Sequence, residues 1–361
     1  MKKRRILTII ALVCMFGLLF SACDEVEVGE SGWTHAYGDP RVAAKPTATE
    51  DQLVAFGAYP NTVTGNDITT AFKNIKIDDV TGLWTEEETQ VTDKDGNVTS
   101  TVVTRYDIQS GYYVREETDA EGNTTVNSYA KEGGKYYLVQ EIQWIVLKDL
   151  GDNYLLIARE AIDSGRPFVD EFAVSNWAES SIRDWLGGTG DYAKGGVKYL
   201  ESWNFFDRAF TDSEQQSIAV TKNTTADNDT YKTEGGADTD DKVFFLSAEE
   251  FAADFGDALS GQASCTPFAA ARGADTEYKT RGVSWWLRTP GINTYFQGVD
   301  RNGDFVEGGF ASSDTTVGIR PVIVVAKSAV RAIDTTLPTA GPLATATPRP
   351  TSVPTDDSAN G

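Results

Sequence analysis

Residues 282–325, GVSWWLRTPGINTYFQGVDRNGDFVEGGFASSDTTVGIRPVIVV, set two adjacent tryptophans, an arginine, an Asn-Gly dipeptide and seven glycines ahead of a closing β-branched run. Apolar residues alternating with turn formers signal strands, and the glycines mark where hairpins reverse. The segment therefore predicts a late set of Trp-rich strands that completes the core of a sheet protein. Trp285 and Trp286, as strand neighbours, point to opposite faces. One is expected in the core and the other on an exposed surface or groove. Arg288 shares the face of Trp286, where it can bracket a sugar or a carboxylate, or instead pair with an internal carboxylate and fix the turn at Thr289-Pro290-Gly291. The candidate ligand-binding residues are Trp285, Trp286 and Arg288, with Arg301 and Glu307 on the next hairpin.

Asp300, Asn302 and Asp304 alternate, with Glu307 three residues further on. Oxygen ligands at alternate positions are what a calcium loop uses, so calcium is the one cofactor left open, with these three residues as candidate ligands. Asn302-Gly303 is also the strongest type I′ turn signal in the chain, and a tight hairpin there spreads the same side chains into solvent. The last strand is expected at residues 318–325, with Pro321 at an edge or bulge because it cannot donate to a ladder.

The N-terminus addresses the compartment. Four basic residues follow Met1, an apolar run spans residues 6–20, and Ser21-Ala22-Cys23 follows. That is a secretory signal, residues 1–22, with small residues before a cysteine; it resembles a bacterial lipobox, with Phe20 where leucine is commoner, and so implies lipidation of Cys23 and anchorage at the outer face of the cell membrane. Fifteen apolar residues are short for a span. The formal net charge is −22, and loss of residues 1–22, which carry four positive charges and no negative ones, takes it to −26. Such a polyanion is a poor partner for nucleic acid. Cys14 leaves with the signal and Cys23 is the lipid candidate, so Cys265 stands alone in the folded part and no intrachain disulfide is available there. The single histidine, His35, lies in the leading tail. Chemistry of the Ser-His-Asp or Cys-His type is therefore not expected.

Residues 23–52 read as a polar, acidic tether and residues 53–330 as one folded domain. A first strand ends at Tyr59-Pro60. Its natural successor, IQWIVL at 142–147, is delayed by residues 84–138, which read as an inserted hairpin region. There TDKDGNVT (92–99) recurs as TDAEGNTT (118–125), each a turn flanked by strand formers; the acidic spacing lacks the glutamate that closes a calcium loop. Residues 142–160 form a hairpin with Trp144 on a core or sheet face. Three short amphipathic helices follow, headed by Asn176 with Glu179, Thr211 with Glu214 and Ser247 with Glu250 as capping boxes. Between the last two, residues 221–241 read as a long polar loop, functional or mobile. Residues 331–361 read as a Pro/Thr-rich tail.

Taken in order, FGAYP, IQWIVL, NWAESSIRDWL, DKVFFLSAEE, SWWLRTPG and GIRPVIVV resemble an uncharacterised domain-of-unknown-function family abundant in secreted and surface proteins of Gram-positive gut bacteria. The resemblance covers residues 53–327 in blocks. Two departures are the insertion after FGAYP and the length of the 221–241 loop. At the level of fold, a Trp-rich strand, Gly-rich hairpins and a G-x-R-P strand resemble the C-type-lectin-like fold shared with formylglycine-generating enzymes, whose catalytic cysteine pair has no counterpart here. The expected fold is α+β, C-type-lectin-like, with twisted antiparallel sheets, short helices and long loops. Three function classes follow: a tethered, non-catalytic binding module for glycan or a surface protein or peptide; a structural or assembly component without a small ligand; and a carboxylate-based hydrolase, for which no pairing of acids is visible.

Overall fold

The computed structural model describes residues 53–78, 83–107, 110–170, 176–196, 203–255, 260–276 and 282–333. The signal segment, Cys23, the tether with His35 and residues 334–361 of the tail lie outside the described residues. The fold is a mixed one of mostly antiparallel sheets with few, short helices.

The chain opens with β1 (Leu53–Val63) and α1 (Asn66–Ala71), then the short pair β2 (Ile77–Asp78) and β3 (Leu83–Trp84). A meander follows, made of β4 (Glu87–Thr92), β5 (Val98–Asp107), β6 (Tyr112–Asp119), β7 (Thr124–Glu132) and β8 (Lys135–Asp149), and β9 (Asn153–Ala158) pairs back on β8. Next come α2 (Ser181–Gly187), α3 (Phe205–Ala209), α4 (Asp212–Ser217), β10 (Thr221–Asn223), β11 (Thr239–Asp241) and β12 (Val243–Phe244). Then α5 (Ala248–Asp254) and α6 (Pro267–Ala271) precede β13 (Trp285–Pro290), β14 (Tyr295–Val299) and β15 (Phe305–Ala311). β16 (Val322–Ala326) and β17 (Arg331–Ala332) end the described chain.

β8 is the spine. Along one edge it pairs with β1 from Tyr137 to Ile145; on the other edge it pairs with β7 through Lys135–Leu138 and with β9 from Trp144 onward. One continuous sheet therefore runs β12-β16-β9-β8-β7-β6-β5-β4, with β1 and β17 off the path. The expected first strand continues past Pro60 to Val63, because its β8 partner is long enough to carry it. Residues 331 and 332, expected in the tail, pair with β1, and Ile333 N–H donates to Leu53 C=O at 3.0 Å. The folded chain thus enters and leaves at one point.

The core lies where β8, β9 and β16 meet the helices: Trp144, Leu147, Leu155, Leu156, Ile157, Val322, Ile323, Val324 and Val325 are fully buried. Strands covered on both faces read as unbroken apolar runs, and VIVV is one. Pro321 sits just before β16, an interior strand between β12 and β9, and its carbonyl accepts from Ala158 N–H. It meets the need for a missing donor by standing one residue ahead of the strand's first ladder position, Val322, where the expected edge or bulge is not required. Trp144 is core, its indole N–H donating to Phe56 C=O at 2.8 Å. A second cluster, Phe72, Ile75, Tyr113, Tyr129 and Tyr136, is built where α1 covers one face of the meander.

Two capping boxes form as expected, Thr211 with Glu214 and Ser247 with Glu250. Asn176 does not head a helix. Its side chain accepts from Glu179 N–H at 3.1 Å within a turn, and α2 starts later, after Ser180. Asn204 caps α3, and α1 and α6 are additional to the three expected helices.

Both halves of the 92–99/118–125 repeat and the 300–304 hairpin adopt one turn. In each, an aspartate N–H donates to the C=O four residues on, the glycine N–H donates back to the aspartate C=O, and the glycine takes positive φ: Gly96 at 85°, Gly122 at 87° and Gly303 at 92°. Asn302 does not share that positive φ. This is a three-residue loop ending in a left-handed glycine, where the dipeptide alone predicted a two-residue type I′ turn.

Candidate functional site

The aspartate that opens each turn is committed to it. Asp300 Oδ1 accepts from Asn302 N–H at 2.8 Å and Asp304 N–H at 2.9 Å, and Asn302 Nδ2 donates to Oδ2 at 3.2 Å. Asp93 and Asp119 do the same, and their carboxyls are held below the ordinary range, first by the side chains of Asn97 and Asn123. The alternate acidic spacing that suggested calcium is thus the signature of a turn in which one carboxylate ties down two backbone N–H groups. Among the described residues, no group of three or more His, Cys, Asp or Glu side chains is placed to hold a metal ion.

The Trp-Trp-x-Arg segment is interior. Trp285, Trp286 and Arg288 each have no measurable solvent exposure. The side chains do alternate, but β13 is covered on both sides. Trp285 packs on Phe251 and Phe255 beside α5, and Trp286 packs edge-on against Phe168 and Phe310. A ligand cannot stack on an indole with no open face, so the expected platform is core.

Arg288 is the knot of this region. Nη1 and Nη2 clasp the Glu250 carboxylate at 2.5 and 2.6 Å, Nη1 also reaches Phe245 C=O at 2.6 Å, Nη2 reaches Thr224 C=O at 3.0 Å, and Nε reaches Thr225 Oγ1 at 3.2 Å. A guanidinium has five N–H donors, and these contacts employ all of them. The internal-carboxylate alternative is therefore the one realised, and its partner is the same Glu250 that closes the α5 capping box.

That network also settles residues 221–241. The segment is bounded by β10 and β11, which pair with each other. It is fixed along its length: Asn228 Nδ2 donates to Pro290 C=O at 2.9 Å, Thr233 Oγ1 to Gly291 C=O at 2.8 Å, and Thr230 Oγ1 to Glu307 at 2.8 Å. At its base, Asp241 accepts from Trp177 Nε1, Asn223 Nδ2, Thr239 Oγ1 and Arg183 Nε at 2.6–3.0 Å. Of the two readings, functional or mobile, mobility does not fit this anchoring.

The loop meets the β13–β15 sheet at Gly308. Tyr231 Oη lies where a Cβ on Gly308 would touch it, and Ile292 N–H donates to Gly308 C=O at 3.0 Å. β15 bulges there: Gly298 pairs Val306 and Phe296 pairs Phe310, so three residues of β15 oppose Gln297 alone, whose Nε2 holds Glu307 C=O at 2.9 Å. A bulge re-aims the side chains it carries. Exposed Ile292, Thr230 and Glu307 and half-exposed Tyr231 meet around this point, and exposed Tyr295 closes the same turn, its N–H on Ile292 C=O at 2.9 Å. Of the predicted ligand-binding residues, Glu307 alone joins this surface. Arg301 is half-buried and paired with Asp275. Tyr231, Ile292 and Tyr295 were missed as site residues; an Ile within and a Tyr just after the Gly-Ile-Asn-Thr turn are the local sign.

A second polar centre was also illegible. Buried Asp163 accepts from Tyr59 Oη at 2.6 Å, Arg272 Nε at 2.5 Å and Ser164 N–H at 2.7 Å, and Arg272 reaches on to Glu132 at 3.0 Å. Burial, then the Asp163 charge, holds the Tyr59 hydroxyl well above the usual tyrosine range, and Asp163 raises Arg272. Bonded in this way, the centre is a strut joining β1, β7 and the end of α6. Next to it, a shallow polar groove is lined by Tyr59, Pro60, Gln140, Gln143, Arg159 and Glu160, in which Arg159 donates to Gln143 at 2.7 Å.

Residues 152–327 match a domain of unknown function, DUF6273. No curated protein and no solved structure matches the chain. The matched segment begins at the β8–β9 turn, so β1 and β8, the latter supplying fully buried Trp144 and Leu147, lie outside it.

Proposed function

Taking residues 152–327 as a DUF6273 domain, we propose that this chain is a cell-surface lipoprotein, anchored through Cys23, whose folded part is a non-catalytic module that binds glycan. The observation that carries the reading is the anchored loop 224–239. A long polar segment held by the buried Arg288, by Asn228 and by Thr233 is ordered before any ligand arrives, so little ordering entropy is lost on binding. It sets Tyr231 against Gly308 and Thr230 on Glu307, next to the turn that carries exposed Ile292 and Tyr295, so that aromatic, apolar and carboxylate groups are offered from one end of the sheet. Aromatic faces stack on sugar C–H groups, and carboxylates and hydroxyls accept from and donate to sugar hydroxyls. The C-type-lectin-like assignment belongs to the same proposal: a small sheet, β13–β15, carries a long structured loop at its end.

The test is a glycan array with the secreted domain, followed by titration of any hit with Tyr231→Ala, Tyr295→Ala and Glu307→Gln. Binding weakened at least tenfold by either tyrosine change supports the site. An array without hits, or hits indifferent to all three changes, overturns it. The burial of Trp285, Trp286 and Arg288 favours a second reading, an assembly component of the cell surface, and a well-folded protein that binds no array member but co-purifies with surface proteins would establish that one.

A further inference from the structure

Lys148 and Asp254 meet in the interior. Lys148 Nζ lies 2.8 Å from Asp254 Oδ1; the carboxylate side chain is fully closed to solvent and the lysine side chain is 15% exposed. The pair joins the bulged end of β8 to the last residue of α5. Neither carboxylate oxygen takes a hydrogen bond from a backbone N–H or a hydroxyl among the described residues. The surroundings oppose a charge there. Phe251 and Phe255 flank it in sequence and are buried, the C-terminal end of a helix disfavours an anion, and Glu250 stands one turn earlier on the same helix. Burial, with a smaller contribution from Glu250 and opposed by Lys148, pushes the Asp254 carboxyl up to about 6. The desolvated carboxyl is thereby biased toward its protonated form.

We propose that Lys148 and Asp254 condense to an intramolecular isopeptide bond. An ammonium proton passes to the carboxylate, leaving a neutral amine and a carboxylic acid. The Nζ lone pair then attacks Asp254 Cγ, the nitrogen loses a further proton, the Cγ–OH bond breaks, and the hydroxyl leaves with that proton as water. An ammonium and a carboxylate give one amide and one water, with no oxidant, cofactor or other co-reactant. With an oxygen 2.8 Å from the nitrogen, the carboxyl carbon is at most about 4 Å away, one C–O bond length further. Neighbours that close to about 3–3.5 Å in the right orientation react with effective molarities of about 10⁵–10⁸ M, and burial keeps the water that would reverse the step at a distance. This proposal is independent of the glycan reading, since neither residue lies on the proposed binding surface.

The experiment is a tryptic map by mass spectrometry of the whole chain purified under denaturing conditions, for wild type, Lys148→Arg and Asp254→Ala. The expected wild-type result is a branched species joining the Lys148 and Asp254 peptides, lighter than their sum by one water, with no cleavage after residue 148. Both variants should return linear peptides of full mass. A wild-type map with cleavage after Lys148 and an unmodified Asp254 peptide overturns the proposal whether or not either variant folds, and leaves a buried ion pair in its place.

Discussion

Replacing Arg288 by methionine removes a guanidinium that satisfies Glu250, Thr224, Thr225 and Phe245 together while keeping most of the apolar length of the side chain. The change leaves the Glu250 carboxylate in the core without its partner. Breaking a buried pair in this way costs about 3–5 kcal/mol. Against a total stability of about 5–15 kcal/mol, that is a large fraction. With a urea m-value of about 3 kcal/mol/M for a domain of this size, the midpoint should fall by about 1–2 M. The companion variant Arg288→Met/Glu250→Met removes both charges. It should be more stable than Arg288→Met by about 1–3 kcal/mol, even though Glu250 also accepts from Ser247 N–H at 2.8 Å and its loss weakens a cap. Hydrogen exchange should speed up in residues 224–233 before it does in β8 or β16, because Arg288 holds that loop. A midpoint within about 0.3 M of wild type for the single variant would refute the reasoning, since a charge with no measurable cost of loss cannot be buried and bonded as described.

Asp241→Ala strips the acceptor from Trp177, Arg183, Asn223 and Thr239 and should cost about 3–5 kcal/mol in urea unfolding; a loss under about 1 kcal/mol would contradict the anchoring of the loop. Burial, then Glu160, raises the Cys265 thiol to about 11, so its alkylation near neutral pH should run about a hundredfold slower than that of an ordinary thiol, and an ordinary rate at the Cys265 peptide would refute it. Lys148→Arg, which cannot form the amide, opens a loop of roughly a hundred residues and should lose about 4–5 kcal/mol, as for a cross-link of that length. The same variant restores a carboxyl at Asp254 whose folded-state pKa is raised from 3.8 to about 6 in the uncondensed pair with Lys148. Its stability should be full below about pH 4 and fall as pH rises through 6, by up to about 3 kcal/mol, whereas the condensed wild type should be flat there; matching pH profiles would argue against the amide.

What the sequence disclosed and what it hid divide by distance along the chain. Thr211 with Glu214 and Ser247 with Glu250 are three residues apart, and their capping boxes are legible because donor, acceptor and helix start are all local. Asn176 with Glu179 has the same spacing and does bond, yet the helix begins later; the local signal specifies a turn and tertiary packing of Ile182 and Trp185 decides where the helix starts. One of Trp285 and Trp286 was expected to have an open face because alternation was reckoned against one covering layer. Phe168, more than a hundred residues earlier, supplies the second. The partners of Arg288 lie up to 64 residues away and those of Asp163 up to 109, so neither centre has a sequence signature. The Asp-x-x-Gly turn is a case of right residues and wrong register: the glycine was seen, while the aspartate three residues before it, which does the fixing, was left as either a candidate calcium ligand or a side chain spread to solvent.

Leu53 and Ile333 share a hydrogen bond, so an outward pull on the two ends of the domain does not slide strands past one another. It opens β17 from β1 at the mouth, one bond at a time, against the Leu53–Ile333 bond, the pairs Val54 with Ala332 and Ala55 with Arg331, and the Arg331–Glu141 ion pair at the surface. Were the chain held by the proposed lipid anchor and pulled from its other end, the first extension would come from β17 peeling away under a small force, while β16 stays seated between β9 and β12. The module would behave as a soft hinge in series with a stiff body: the few residues of slack that β17 releases would absorb a tug before the sheet carried any of it.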